Sequence, residues 1–255
     1  MRRLYVGVIT LVTILCVIVG MAIHFGSDIN GNWYIGKNKN HDEAPVSGED
    51  FELASFTKIR VEADVMALTV EQGDDFTFRY NCTQNLIPEY EVKDGVLYIT
   101  QKQKNRVSFG TNNCNAFLTI PEGVLLEKVE ITSDVGDVFL DQLAIVDLSV
   151  YCDVGDLNID ETTFGNAKIE LDVGDLEISD SEFENLDAYS DVGDVEVHSI
   201  MDLSAYSFDL IADIGDIEVN GKEYKDECRI SGSQNLIKIG SDIGDVEVSW
   251  NTKND

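Results

Sequence analysis

The chain has 255 residues, and its 48 Asp and Glu against 18 Lys and Arg give a formal net charge of −30. Such a charge repels nucleic-acid phosphates and anionic membrane surfaces, so we expect no nucleic-acid partner. Because 44% of the residues are hydrophobic, the sequence predicts a folded core rather than a disordered acidic polymer.

An uncharged apolar run of 20 residues, Leu4 to Ile23, stands near the N-terminus. As a helix it would be ~30 Å long, enough to cross a bilayer. Two arginines precede the run and no Lys or Arg follows it before Lys37, which places the N-terminus in the cytoplasm. We therefore predict one N-terminal transmembrane helix within a membrane anchor, residues 1–26, in a single-pass protein of the cell membrane.

The competing interpretation of this segment is a signal peptide cleaved at the small-x-small tripeptide 20–22. The apolar run is long for a signal peptide, which favours an anchor that is retained. Residues 27–50 are polar and lack a sustained apolar period, so they predict a linker to the folded part. All 48 acidic residues lie beyond the anchor, and the predicted extracytoplasmic part carries 16 Lys and Arg and a net charge of −32.

Residues 51–128 contain alternating apolar and polar stretches that predict strands, with Asp94-Gly95 as a hairpin turn. We expect these strands to cap the repeat region that follows, because an uncovered end would expose unpaired strand edges. Cys82 and Cys114 lie in this segment and can pair in an oxidising compartment. Cys152 shares an apolar position of the repeats, which predicts a buried thiol.

An internal repeat is the main feature of residues 129–250. The tetrapeptide Asp-Val/Ile-Gly-Asp occurs six times, its glycines spaced by 19, 19, 19, 22 and 29 residues, at positions 136, 155, 174, 193, 215 and 244. A degenerate copy begins at Asp64. On both sides of each Gly the apolar residues recur with a period of two, which predicts two strands joined by a glycine corner. The Val or Ile before each Gly belongs to this apolar pattern, so we expect it to face the core.

One unit of 19 residues is too short to bury its apolar face alone, so successive units are expected to stack as coils. The predicted fold is all-β, a parallel β-solenoid or β-helix about 29 Å long for six coils, in which each strand pairs with its equivalent one coil away. An antiparallel sandwich is the alternative, and the constant spacing disfavours it. Phe164 and Phe183 occupy equivalent places on a third side of the coil. Residues 251–255 form a tail.

The repeat resembles a known bacterial envelope domain. The segment 118–123, the segment 129–140 and the Asp-Val-Gly-Asp units are similar to a β-strand-repeat domain of unknown function that is often labelled an adhesin. The opening at 58–64 and the turn at 94–97 also match, so the resemblance covers about residues 50–250. It implies a bacterial cell-envelope protein, and it brings no catalytic residues to carry over.

The aspartates that flank the corner glycines are the candidate site. Stacking would align them in two columns of six, with neighbouring carboxylates ~5 Å apart, which suits a hard cation such as calcium. The members are Asp134, Asp137, Asp153, Asp156, Asp172, Asp175, Asp191, Asp194, Asp213, Asp216, Asp242 and Asp245. The simpler and preferred interpretation is a solvated acidic edge whose carboxylates bind corner amides, so no cofactor is required.

The expected function is a non-catalytic binding or structural module, similar to adhesins, that presents an acidic stripe to an envelope protein or a cationic ligand. An accessory protein for envelope-stress sensing or regulation is the alternative. A calcium-dependent enzyme acting on polysaccharide is disfavoured, because basic residues are scarce near the corners and no Ser/His/Asp, phosphate-loop or zinc spacing appears.

Overall fold

Alternating apolar residues produce an almost entirely β structure. The computed structural model describes residues 46–47, 50–103, 114–232 and 235–251, which belong to one compact unit, Asp42–Asp255. The predicted anchor and residues 27–45 of the predicted linker lie outside the described residues, so the anchor stays a prediction. Within the described ranges, no helix is long and apolar enough to cross a membrane.

The described residues form 21 strands and one short 3-10 turn, Gln84–Leu86. The strands are β1 (Val46–Ser47), β2 (Phe51–Glu52), β3 (Lys58–Ala63), β4 (Ala67–Gly73), β5 (Thr77–Cys82), β6 (Glu89–Lys93), β7 (Val96–Gln101), β8 (Cys114–Pro121), β9 (Leu125–Val135), β10 (Val138–Asp141), β11 (Ala144–Val154), β12 (Leu157–Asp160), β13 (Thr163–Val173), β14 (Leu176–Val192), β15 (Val195–Ser199), β16 (Ser207–Ile214), β17 (Ile217–Val219), β18 (Lys222–Tyr224), β19 (Glu227–Ile230), β20 (Leu236–Ile243) and β21 (Val246–Trp250).

Two mainly parallel sheets enclose one hydrophobic core. In the first sheet the parallel strands follow the order β7, β3, β9, β11, β13, β14, β20 and β16. In the second the order is β8, β4, β10, β12, β14, β15, β21 and β17. Each coil crosses from the first sheet to the second at a corner, so the predicted all-β, solenoid-like stacking of repeats is confirmed.

The repeats pair in the predicted register. Leu148 of β11 lies opposite Val129 of β9 and Ala167 of β13, steps of 19 residues in both directions. Phe164 and Phe183 stack inside the core with their ring centroids 5.2 Å apart, as the equivalent positions predicted. The degenerate copy is a true member of the stack, because the Met66 amide donates to the Val135 carbonyl at 2.9 Å.

The order of the coils differs from the expected one. The last repeat in the sequence, β20–β21, lies between the β14–β15 coil and the β16–β17 coil. Within the 29-residue spacing between Gly215 and Gly244 the chain doubles back through β18 and β19. Strands β18 and β19 pair antiparallel with β17 and β16 and so occupy the outer edge of the stack. The last repeat therefore pairs on the inner side of the β16–β17 coil.

The N-terminal end follows the same plan. Residues 51–128 do more than cap the stack, because β3–β4 and β7–β8 are themselves parallel coils. Antiparallel β5 and β6 close the outer edge, and the predicted turn at Asp94-Gly95 joins β6 to β7. The Cys82–Cys114 disulfide joins β5 to β8, so the pairing considered from the sequence is present. Strand β1, inside the predicted linker, pairs with β5.

Glycine is required at the corner because adjacent coils touch there through their backbones. A Cβ atom built on Gly174 would lie 2.0 Å from the Gly155 carbonyl oxygen, and equivalent overlaps of 1.9–2.4 Å occur at the other five corners. Gly174 also has a φ of +152°, which side chains rarely adopt. No side chain fits at this position unless the two strands separate.

We therefore expect Gly174→Ala to lower the free energy of unfolding by about 3 kcal/mol or more, because it adds backbone overlap to conformational strain. The measurement is urea unfolding of the oxidised full-length chain. Gly221→Ala is the matched control. Its φ is +79° with no atom near the added Cβ, and we expect a loss of about 1 kcal/mol. Equal losses of unfolding free energy in the two variants would show that backbone contact between coils does not cause the requirement for glycine at the corner.

Candidate binding surface at the glycine corner

The two predicted Asp columns exist, in the spatial order of the coils. The first column comprises the Asp residues two before each Gly, namely Asp134, Asp153, Asp172, Asp191, Asp242 and Asp213. The second column comprises the Asp residues after each Gly, namely Asp137, Asp156, Asp175, Asp194, Asp245 and Asp216. All twelve carboxylates lie on the outer side of the corner, exposed or half-buried.

The second Asp column is a ladder of hydrogen bonds between coils. The Asp175 amide donates to Asp156 Oδ1 at 2.9 Å, and the Asp194 amide donates to Asp175 Oδ1 at 2.8 Å. The same bond recurs at every step from Asp137 to Asp216, at 2.8–3.1 Å. An ionised acceptor strengthens such a bond. Each Asp therefore holds the start of the next coil, which agrees with the amide-binding interpretation preferred from the sequence.

The first Asp column makes no such ladder, and three of its members, Asp153, Asp172 and Asp242, bond to tyrosines instead. Tyr189 Oη donates to Asp242 Oδ1 at 2.5 Å, and this bond raises the pKa of Tyr189 to about 12. Asp153 and then Asp172 act in the same way on Tyr151, whose pKa rises to about 12. Partial burial, with Asp153 and Asp64 nearby, raises the pKa of Asp134. The first-column aspartates are exposed or half-buried.

A third acidic column was missed at the sequence level. Glu177, Glu196, Glu247 and Glu218 pair in register on the outer face of the second sheet, three residues after their glycines. Burial, followed by the charges of Glu247 and Glu177, raises the pKa of Glu196. Glu three residues after Gly in four of the six repeats was the available signal. This Glu column widens the acidic surface beyond the corner.

The Val or Ile before each Gly does not face the core, which corrects the sequence prediction. These side chains are 38–47% exposed and form an unbroken row between the two Asp columns, the Val/Ile ridge, comprising Val135, Val154, Val173, Val192, Ile243 and Ile214. The strand has begun to turn toward the second sheet at this residue, so the strict alternation ends one residue earlier. The side chain then points outward on the convex side of the corner.

Among the residues described, no three or more His, Cys, Asp and Glu side chains are grouped closely enough to hold a metal ion. One oxygen of five of the second-column carboxylates already accepts an amide hydrogen. Calcium binding at the twelve aspartates stays a prediction. Cys152 is buried as predicted, and burial raises the pKa of its thiol to about 12.

Stacked parallel coils and an exposed repetitive corner define a class of β-repeat domains whose outer surface is built by rows of side chains. This chain belongs to the Toastrack DUF4097 family, whose family model matches residues 56–254. The family resemblance seen in the sequence is therefore confirmed. No curated protein matches the chain.

Several solved bacterial structures are similar. A putative cell adhesion protein from Clostridium sporogenes is 18% identical with a TM-score of 0.49, covering 81% of this chain and 100% of that one. A putative adhesin from Bacteroides fragilis is 17% identical with a TM-score of 0.48, covering 80% and 96%. A putative lipid binding protein from Parabacteroides distasonis is 13% identical with a TM-score of 0.34, covering 81% and 98%.

We expect Asp175→Ala to lower the free energy of unfolding by about 1 kcal/mol relative to Asp175→Asn, because only Asn keeps an oxygen to accept the Asp194 amide hydrogen. Both variants remove the same charge, so the comparison isolates the hydrogen bond from charge repulsion. Urea unfolding of the two full-length variants measures the difference. Equal stability of the two would show that the ladder bonds contribute nothing.

Glu196→Gln should stabilise the protein by about 0.5 kcal/mol at pH 7, because it removes a like charge opposite Glu177 and Glu247. The raised folded pKa of Glu196 means that the wild type loses stability as pH rises through the carboxylate range. The gain should therefore vanish below about pH 4, where the glutamate is protonated in both states. Thermal unfolding at the two pH values measures it. A gain of equal size in the turn variant Glu122→Gln would contradict the attribution of the stability gain to repulsion within the Glu column.

Proposed function

We propose that this chain is a non-catalytic, membrane-anchored binding module of the adhesin type that presents its acidic corner to a cationic partner outside the cytoplasm. One observation carries the proposal, which is the alignment of carboxylates in three columns along the same side of the stack. No Lys or Arg occurs within the six corner tetrapeptides. The surface therefore has one sign of charge along its whole length.

Repulsion within the columns favours a cationic ligand. Carboxylates on adjacent coils, ~4.8 Å apart, repel each other by about 1 kcal/mol per pair even at the dielectric constant of water. The hydrogen-bond ladder holds the second column in place despite this cost. A cation that lies between two coils relieves the repulsion without moving the backbone, so the surface is preorganised for positive charge.

One surface depression lacks a nucleophile and a basic partner for its carboxylates. The depression at Gln72, Asp74, Glu122 and Gln142 has a volume of about 540 Å³, and no Ser, Cys, His, Lys or Arg lines it. A carboxylate without a neighbouring nucleophile or acid–base partner does not form a catalytic arrangement. The anchoring part of the proposal is supported by the apolar run Leu4 to Ile23 and by the preceding arginines.

The test uses the full-length chain in nanodiscs of zwitterionic phosphatidylcholine, with empty nanodiscs as the blank. A fluorescent dodecalysine peptide should bind, and its Kd should rise about tenfold between 50 and 300 mM salt because screening weakens exposed charge pairs. The variant Asp156→Asn/Asp175→Asn/Asp194→Asn should weaken binding at least fivefold, because it removes three negative charges. The Asn side-chain oxygens still accept the ladder hydrogen bonds, so the corner keeps its structure. Fluorescence anisotropy measures each Kd.

The matched control neutralises three exposed acids away from the corner, in Asp74→Asn/Glu122→Gln/Glu184→Gln. This triple changes the net charge equally and should alter the dodecalysine Kd by less than twofold. An equal effect of the two triples would mean that diffuse net charge, and not the corner, attracts the peptide. Absence of dodecalysine binding at 50 mM salt would overturn the proposed function.

A further inference from the structure

The Val/Ile ridge is an apolar feature that stability does not explain. Its six side chains are 38–47% exposed, although the first and last residues of each tetrapeptide are charged. The backbone beneath it is already paired, as the bond from the Gly155 amide to the Val173 carbonyl at 3.0 Å illustrates. The ridge can therefore engage a partner only through its side chains, and not by adding a strand.

Resting on the proposed function, we propose that the Val/Ile ridge docks a cationic amphipathic α-helix, which lies along the corner. The apolar stripe of the helix packs on the ridge, and Lys or Arg residues on both sides of that stripe reach the two Asp columns. The partner is thus a helix with a narrow apolar stripe bordered by basic residues. A basic segment of another shape, or one without the stripe, does not fulfil both requirements.

The dimensions of the ridge match a helix. Six rungs at ~4.8 Å give a row about 24 Å long, which corresponds to about 16 helical residues at 1.5 Å each. One helical turn rises about 5.4 Å, so successive apolar residues of a helix nearly follow successive rungs. Same-side residues of an extended strand repeat at about 6.7 Å and lose register after two rungs. The spacing therefore favours a helical partner.

The width of the corner supports the same occupant. The two Asp columns are three residues apart in the chain, on either side of the ridge, which gives a surface of about 10 Å. An α-helix with its side chains is about 10–12 Å in diameter, so basic residues bordering its stripe can reach both columns. A second copy of this chain is a poor occupant, because its own Asp columns would face these carboxylates with like charge.

The experiment compares two 16-residue peptides of the same Leu and Lys composition on the full-length chain in phosphatidylcholine nanodiscs. One peptide places Leu in a single helical stripe, and the other has a scrambled order. Empty nanodiscs give the lipid contribution. We expect the striped peptide to bind at least tenfold more tightly than the scrambled one, with circular dichroism showing more helix on binding.

The ridge variant is Val154→Thr/Val173→Thr/Val192→Thr, which keeps β-branched shapes at exposed positions. It should weaken the striped peptide about tenfold and leave the scrambled peptide within twofold. The matched control is Leu125→Thr/Val146→Thr/Ile200→Thr, which replaces exposed apolar residues outside the ridge and should change neither Kd by more than twofold. Thermal unfolding of both variants verifies that the fold is kept.

Equal binding of the striped and scrambled peptides would overturn the helix-docking inference and leave the proposed cationic binding intact. An equal effect of the ridge and control variants on the striped peptide would overturn it as well. Failure of both peptides and of dodecalysine to bind would overturn the proposed function together with the inference. Binding of the striped peptide without a gain in helix would identify a different bound shape and contradict the proposal.

Discussion

Contact between backbones at the corner is the constraint on which the rest of this structure depends. Each corner glycine lies so close to the carbonyl oxygen at the same place one coil away, Met66 for Gly136 and a glycine for the other five, that a Cβ would overlap it. This contact sets the distance between coils and keeps them in register. Once the register is fixed, every residue type at one position of the repeat must form a row on the surface. The chemistry of the surface thus follows from one backbone contact repeated six times.

The rows of carboxylates lower the stability of the fold through repulsion, and the same charge favours the proposed cationic partner. Aligned carboxylates repel one another, yet the second Asp column lowers that cost by accepting an amide hydrogen from the next coil. The same residues therefore carry charge outward and hold the coils together. The first Asp column and the Glu column lack this compensation, and burial together with neighbouring carboxylate charges raises the pKa values of Asp134 and Glu196. Charge that the fold stabilises only partly is available to a ligand.

The sequence predicted the repeat well because period-two alternation and a fixed glycine spacing are local patterns. Buried Val138 and Leu140, the Phe164–Phe183 stack and both Asp columns follow from them directly. Alternation failed at Val135 because a corner rotates the chain between two sheets, and a period defined along a straight strand does not continue through it. The position of β20 between β14 and β16 could not be predicted, because similar repeats offer similar edges and only the terminal hairpins decide which edge stays open.

The insertion of β20 and β21 has a consequence for how the domain is made. Coil β16–β17 is synthesised before its inner neighbour, so the strand positions between it and the β14–β15 coil stay unfilled in both sheets until β20 and β21 are made. The last strands fill both gaps together, and the nascent domain cannot be completed by adding coils one after another. A chain that is cut short before residue 236 keeps open edges in both sheets, which are templates for aggregation. Strands β20 and β21 therefore complete both sheets, although they are the last of the described strands to be synthesised.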